Sequence, residues 1–308
     1  MLLLIVFLLI LVSCSTSTHT FGLSGSHNPI IPIEGLADPT VIQHEGRYYL
    51  YPTSDGFGYD VYTSDDLLEW EMAVRAFDHQ GPNVWAPDVY FDSSERVFYL
   101  YYSADFSIGV AVAENPLGSF EDRGIIIEGA IDAHLFEDED GQLYLYYEGF
   151  ADSGSRIVVR RMNTPLTPDS EQILLLEPEG WEIGAAAITE GPWMLKRDGI
   201  YYLMYSGNAC FTTDYAIGYA TSASPTGPFI RFAGNPIVSK DDGLFGPGHH
   251  SVVEAPNDEL MIVYHQKAST ENGLDRFVCI DRMGFDDNGH IGVTPTVLNP
   301  NRTAITYD

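Results

Sequence analysis

Five polar residues recur at a shared place in the sequence pattern. Asp38, Asp88, Asp132, Glu190 and His249 each stand 10 or 11 positions before the start of an aromatic or apolar run. In a ring of similar units, residues at one repeat position converge on the axis, so four carboxylates and an imidazole would face one another. Such a cluster is electrostatically unfavourable, because like charges at short range raise one another's pKa. A fold tolerates that chiefly where chemistry uses it. The plainer alternative is a set of unrelated polar residues beside turns, although a repeat would then be expected to carry small or apolar residues there. Two carboxyl groups across a cleft are what glycoside hydrolysis requires: one protonates the leaving oxygen and the other activates water. A third carboxylate nearby would raise the pKa of the acid towards the working pH. The histidine could ligate a metal, hold a water or line the wall.

The runs themselves are Tyr48-Tyr49-Leu50-Tyr51, Phe98-Tyr99-Leu100-Tyr101, Leu143-Tyr144-Leu145-Tyr146, Tyr201-Tyr202-Leu203-Met204 and Leu260-Met261-Ile262-Val263. They recur every 45 to 60 residues or so, the spacing of one four-stranded propeller blade per copy. A polar turn precedes each, such as Glu45-Gly46 or Asp198-Gly199, as a tight hairpin needs. Before each turn lies another strand, Pro39 to Gln43 in the first copy, and after each run a third, clearest from Ile108 to Ala113 and from Ile217 to Thr221. Gly and Pro interrupt the chain too often for an amphipathic helix of three turns. The predicted fold is therefore all-β, a five-bladed β-propeller with its site at the central funnel. A sandwich has no reason to repeat one hairpin five times, and a solenoid would have shorter periods.

Length and charge bound the rest. The chain has 308 residues, 44 acidic against 15 basic, for a net charge of −29. That excess argues against nucleic acid and anionic membrane surfaces as partners. Met1 to Val12 is almost entirely apolar and too short to span a bilayer, which predicts a signal peptide. Leu11-Val12-Ser13-Cys14-Ser15 resembles the acylation box of bacterial lipoproteins, with Cys14 as the lipid anchor, although no Lys or Arg precedes Arg47. The expected organisation is a leader over 1–13, a flexible tether over 14–29 and one catalytic propeller over 30–308. A bacterial protein, secreted or anchored as an outer-membrane or periplasmic lipoprotein and monomeric, is the resulting expectation. Cys210 and Cys279 do not make a disulfide scaffold, and their pairing is left open.

These motifs resemble glycoside hydrolase family 43, five-bladed propellers acting on arabinose- and xylose-containing polysaccharides, from about Ile33 to near the C-terminus. Ala37-Asp38-Pro39 looks like the segment carrying the family's general base, Ile131-Asp132-Ala133-His134 the one carrying its pKa-modulating and orienting aspartate, and Thr189-Glu190-Gly191-Pro192 its general-acid motif. Val84-Trp85-Ala86-Pro87-Asp88 is similar to the second-blade motif, making Trp85 a candidate sugar platform, and Arg276 stands where members use an arginine to contact the sugar, with a surface ion pair as the alternative. Gly246-Pro247-Gly248-His249 resembles the fifth-blade segment whose histidine helps hold a calcium ion or its waters, with His250 directly following.

The resemblance implies single-displacement hydrolysis with inversion, Asp38 as base and Glu190 as acid, with no cofactor needed for the chemistry and a structural calcium at the axis. Oligosaccharides or polysaccharide side chains are the implied substrates. The expected activity is an exo-acting α-L-arabinofuranosidase or β-D-xylosidase, with galactan or arabinan cleavage and non-catalytic carbohydrate binding as alternatives. The Asn-Asp-Pro, Arg-Asp-Pro and Glu-Cys motifs of fructan-cleaving propellers are absent. A lectin would repeat one binding chemistry, whereas these axial positions differ in kind.

Overall fold

The aromatic runs form the second strand of each of five antiparallel sheets. The computed structural model describes residues 27–303, so the leader and Cys14 lie outside the described residues. Blade 1 comprises Ala37–His44, Arg47–Thr53, Gly58–Ser64 and Glu71–Asp78; blade 2 comprises Val84–Asp92, Val97–Ala104, Ser107–Ala113 and Glu121–Glu128. Blade 3 is built from Ala130–Glu137, Leu143–Ala151, Gly154–Thr164 and Thr167–Pro168, with Ile173–Leu176 also pairing its third strand. Blade 4 comprises Thr189–Arg197, Ile200–Gly207, Ala216–Ser222 and Ile230–Arg231, and blade 5 Phe245–Glu254, Leu260–Lys267, Arg276–Phe285 and Ile291–Val293. The first hairpins of blades 1 and 4 turn through Glu45-Gly46 and Asp198-Gly199, all four at positive φ, the backbone that matches strand twist.

Alternating side chains bury one face of each sheet against the next blade, so the core is divided. Five hydrophobic clusters fill the five inter-blade seams, such as Tyr101, Val110, Leu135, Leu145 and Val158 between blades 2 and 3. Tyrosine hydroxyls reach proline carbonyls across three of the seams: Tyr51 donates to the Pro116 carbonyl (2.5 Å), Tyr101 to Pro165 (2.5 Å) and Tyr146 to Pro225 (2.7 Å).

Blade 5 is made wholly from the C-terminal part of the chain, so the ring closes by packing rather than by a shared strand. The segment before blade 1 fastens that seam. Asn28 accepts from the Ile280 N–H (2.9 Å) and donates to the Ile280 carbonyl (3.1 Å), Asp281 (3.2 Å) and Thr296 Oγ1 (2.8 Å), while Ile30, Ile31 and Leu36 join the seam's apolar cluster. His27 and Asn28 are buried, so the folded body includes residues placed by the sequence reading in the tether.

Candidate active site

Each inner strand breaks register at its start. Pairing skips between Ala37 and Thr40, Trp85 and Asp88, Ile131 and His134, Glu190 and Trp193, and between Gly248 and Ser251. At each bulge one residue takes the left-handed conformation: Asp38 (φ 48°), Ala86 (46°), Asp132 (57°), Gly191 (55°) and His249 (44°). Asp and His tolerate that backbone better than most residues, and stored strain of this kind concentrates at functional sites. In blade 4 a Cβ on Gly191 would meet the His249 ring at 3.3 Å, so glycine takes the strained position and the carboxylate moves one residue earlier, to Glu190.

The bulges correct the alignment of Asp88. By register Ala86 is the equivalent of Asp38, whereas Asp88 pairs opposite Tyr101 as Thr40 pairs opposite Tyr51. Asp88 therefore sits one layer further along the axis, accepting from the Leu135 N–H (2.9 Å) beside His134 Nδ1 (3.3 Å). Counting back from the run misplaces it because Ala86 stands 12 residues before Phe98, against 10 from Asp38 to Tyr48. The other expected residues do converge.

Asp38 Oδ1 is held by Arg276 Nη1 (3.1 Å) and His265 Nδ1 (3.2 Å), with His249 Nδ1 at 3.6 Å. His249 Nδ1 is also 3.7 Å from Asp132 Oδ2, which accepts from the Gly191 N–H (3.2 Å). Glu190 Oε1 accepts from the Tyr215 hydroxyl (2.6 Å), and Tyr215 stacks on His265 with ring centroids 5.5 Å apart. Asp132, Glu190 and a third carboxylate, Glu148, bring oxygens to within 4.8 Å of one another. All four carboxyl groups are buried.

The environments divide them. Burial opposes charge on Asp38, but Arg276, His249 and His265 overcome it and hold the carboxyl well below the usual range. Burial raises Glu190 to about 7, the Asp38 charge adding to the rise while Tyr215 and Arg276 oppose it. Asp132 is pushed well above its ordinary value by burial and then by Glu190 and Asp38. Burial also lowers His265, to about 4. One carboxylate kept ionised opposite one kept protonated is an acid and base pair.

The model of the glycosyl hydrolases family 43 matches residues 26–291. The chain belongs to this family. It is a glycoside hydrolase, acting on O-glycosyl bonds. It is 32% identical to a β-D-galactofuranosidase of Aspergillus niger, over 86% of this chain and 83% of that one. It is 25% identical to an extracellular exo-α-(1→5)-L-arabinofuranosidase of Cellvibrio japonicus, over 82% and 84%. Among solved structures, a thermostable family-43 glycoside hydrolase superposes with a TM-score of 0.82 at 37% identity, covering 89% of this chain and 97% of the other.

Two further expected residues of the family-43 site have definite places. Trp85 occupies in blade 2 the register position that Glu190 occupies in blade 4, and its ring lies 5.9 Å from that of Phe106. Arg276 is buried against Asp38 and is not a surface ion pair. Glu148, Tyr215 and His265 escaped the sequence reading. A signal for two of them existed: Thr53, Ser103, Glu148, Ser206 and His265 each stand five residues after the start of an aromatic run. Thr53, Ser103 and Ser206 accept from the bulge N–H of the next blade, at Ala86 (2.8 Å), Asp132 (2.9 Å) and His249 (2.8 Å). Among the described residues, Cys210 and Cys279 are unpaired.

Proposed function

We propose that this family-43 enzyme removes terminal furanosyl units from oligosaccharides or polysaccharide side chains with inversion. The opposed states of Asp38 and Glu190 carry the reading. Asp38, ionised under Arg276 and His265, takes a proton from a water as its oxygen attacks the anomeric carbon. Glu190 gives its proton to the departing glycosidic oxygen as the carbon–oxygen bond breaks. Asp132 supports the acid through the Gly191 N–H and its own proximity. Trp85 borders the sugar, and Arg276 sets the base and contacts the ring.

A furanoside is favoured over β-D-xylopyranose because the two relatives above are named for furanosides. β-D-Galactofuranose shares the ring configuration of α-L-arabinofuranose and carries one more exocyclic carbon, so one pocket shape accommodates either. The apolar leader and the extracellular relative support placement outside the cytoplasm, with Cys14 as the anchor. Calcium at His249 is not part of this reading. Calcium takes six to eight oxygen ligands, whereas the axial cavity below the site offers unpartnered nitrogens of His134 and His250, one hydroxyl, Thr40, and two carboxylates, Asp88 and Asp132, already engaged by the Leu135 and Gly191 N–H groups.

Aryl α-L-arabinofuranoside, β-D-galactofuranoside and β-D-xyloside, assayed with the wild type, Asp38→Asn and Glu190→Gln, test the proposal. The expected result is cleavage of a furanoside, lowered about 10²- to 10⁴-fold by either substitution, with NMR of the first-formed sugar giving the inverted anomer. Undiminished activity in either variant removes that residue from the mechanism, and a retained anomer removes the single displacement.

A further inference from the structure

Glu148 breaks a rule that the other blades keep. At its register position blades 1, 2 and 4 carry a hydroxyl that accepts from the next blade's bulge N–H. In blade 3 the position is a carboxyl group, and the Gly191 N–H turns instead to Asp132. Freed from that duty, the Glu148 carboxyl lies within 4.8 Å of the Glu190 carboxyl, and its buried Oε2 has no hydrogen-bond partner among the described residues.

Buried carboxylates elsewhere in the chain are treated differently. Glu182, fully buried, receives Tyr205 Oη (2.7 Å), Thr189 Oγ1 (3.0 Å), the Glu179 N–H (3.0 Å) and two nitrogens of Arg231 (2.8 Å each). Asp281 receives Tyr264, Asn28 and Thr296. Glu148 has no such cation, and burial followed by the charges of Glu190 and Asp132 pushes its pKa well up. A neutral carboxylic acid in that setting is a donor, and the acceptor it faces is Glu190.

We propose that Glu148 is a positioning residue for the acid step, donating its carboxylic O–H to the Glu190 carboxylate that forms when Glu190 gives up its proton. As the Glu190 O–H bond breaks, its proton passes to the glycosidic oxygen and the electron pair stays on Glu190. That charge is met by two preorganised donors, Tyr215 Oη and the Glu148 O–H, the arrangement that stabilises developing charge most effectively. The other titratable groups facing the pair are Asp132 from blade 3, Cys210 and Tyr215 from blade 4, Asp38 from blade 1 and Arg276 from blade 5. The inference rests on Glu190 being the acid.

Glu148→Leu removes the donor at similar volume, and Glu148→Gln keeps one in its amide. Both are compared with Glu190→Gln on aryl furanosides of graded leaving-group pKa, with kcat/KM followed against pH. The Leu variant is expected to lose about 10- to 100-fold in kcat on poor leaving groups and much less on activated ones. Its alkaline limb should move to higher pH, because the Glu190 carboxylate has lost a donor. The Gln variant should keep most of the activity, which also guards against a folding failure of the Leu variant. Equal losses on all leaving groups, an alkaline limb that moves down, or a Gln variant as impaired as Glu190→Gln would each overturn the proposal. If Glu190→Gln itself shows no leaving-group dependence, the acid assignment fails and this inference with it; a normal Glu190→Gln pattern beside a wild-type-like Leu variant overturns the role of Glu148 alone.

Discussion

Two aspartates and two glutamates share one buried site, and what separates them is the company each keeps. Asp38 has a guanidinium and two imidazoles within 3.1 to 3.6 Å, whereas Glu190 has a phenol and two other carboxyl groups. Activity needs Asp38 ionised and Glu190 protonated. The kcat/KM profile should therefore extend far into the acid range and fall as pH rises through about 7, where Glu190 loses its proton; a Glu190→Gln enzyme should lack that alkaline limb. Stability follows the same group. Folded Glu190 is raised from 4.5 to about 7, so between those values the folded state binds more protons than the unfolded one. Its contribution to stability is then lost as pH rises through that window.

At the scale of the strand, the bulge is the device that builds the site. A continuous ladder would send alternate side chains into the two neighbouring seams; one left-handed residue lets Asp38, Asp132 and His249 depart from that alternation at the axis. The strands are held in phase by tyrosine hydroxyls that reach proline carbonyls of the next blade. Tyr101→Phe should leave the buried Pro165 carbonyl unpaired and lower stability by about 1–3 kcal/mol in urea titration, with kcat unchanged because the lost hydroxyl reaches into the seam to Pro165 and bonds none of the site's carboxyl groups.

For the molecule as a whole, stability resides in five seams rather than one core, and the seam between blades 5 and 1 has no shared strand to hold it. Asn28 substitutes for one, through its four side-chain hydrogen bonds to blade 5 and Thr296. Asn28→Ala should lower unfolding free energy by about 2–4 kcal/mol, read by thermal or urea denaturation. Because Asp38 and Arg276 meet across that same seam, activity should be lost at a lower temperature in this variant, before the other seams open.

Local pattern was enough for the architecture: five aromatic runs with turns before them specify five meanders, since period-two alternation and tight hairpins are set by neighbours in sequence. The residues just ahead of the runs were legible too, and Asp38, Asp132, Glu190 and His249 do meet. What the sequence could not disclose is the bulge, which depends on the register between strands and makes Ala86, not Asp88, the partner of Asp38. Glu148 was marked only by its place five residues into its run; its role arises because its carboxyl lies across a seam from Glu190. Arg276 read nearly as well as a surface ion pair until closure of the ring carried it to Asp38. Charge state at a site is set by contacts made through space, and those exist only once distant strands have packed.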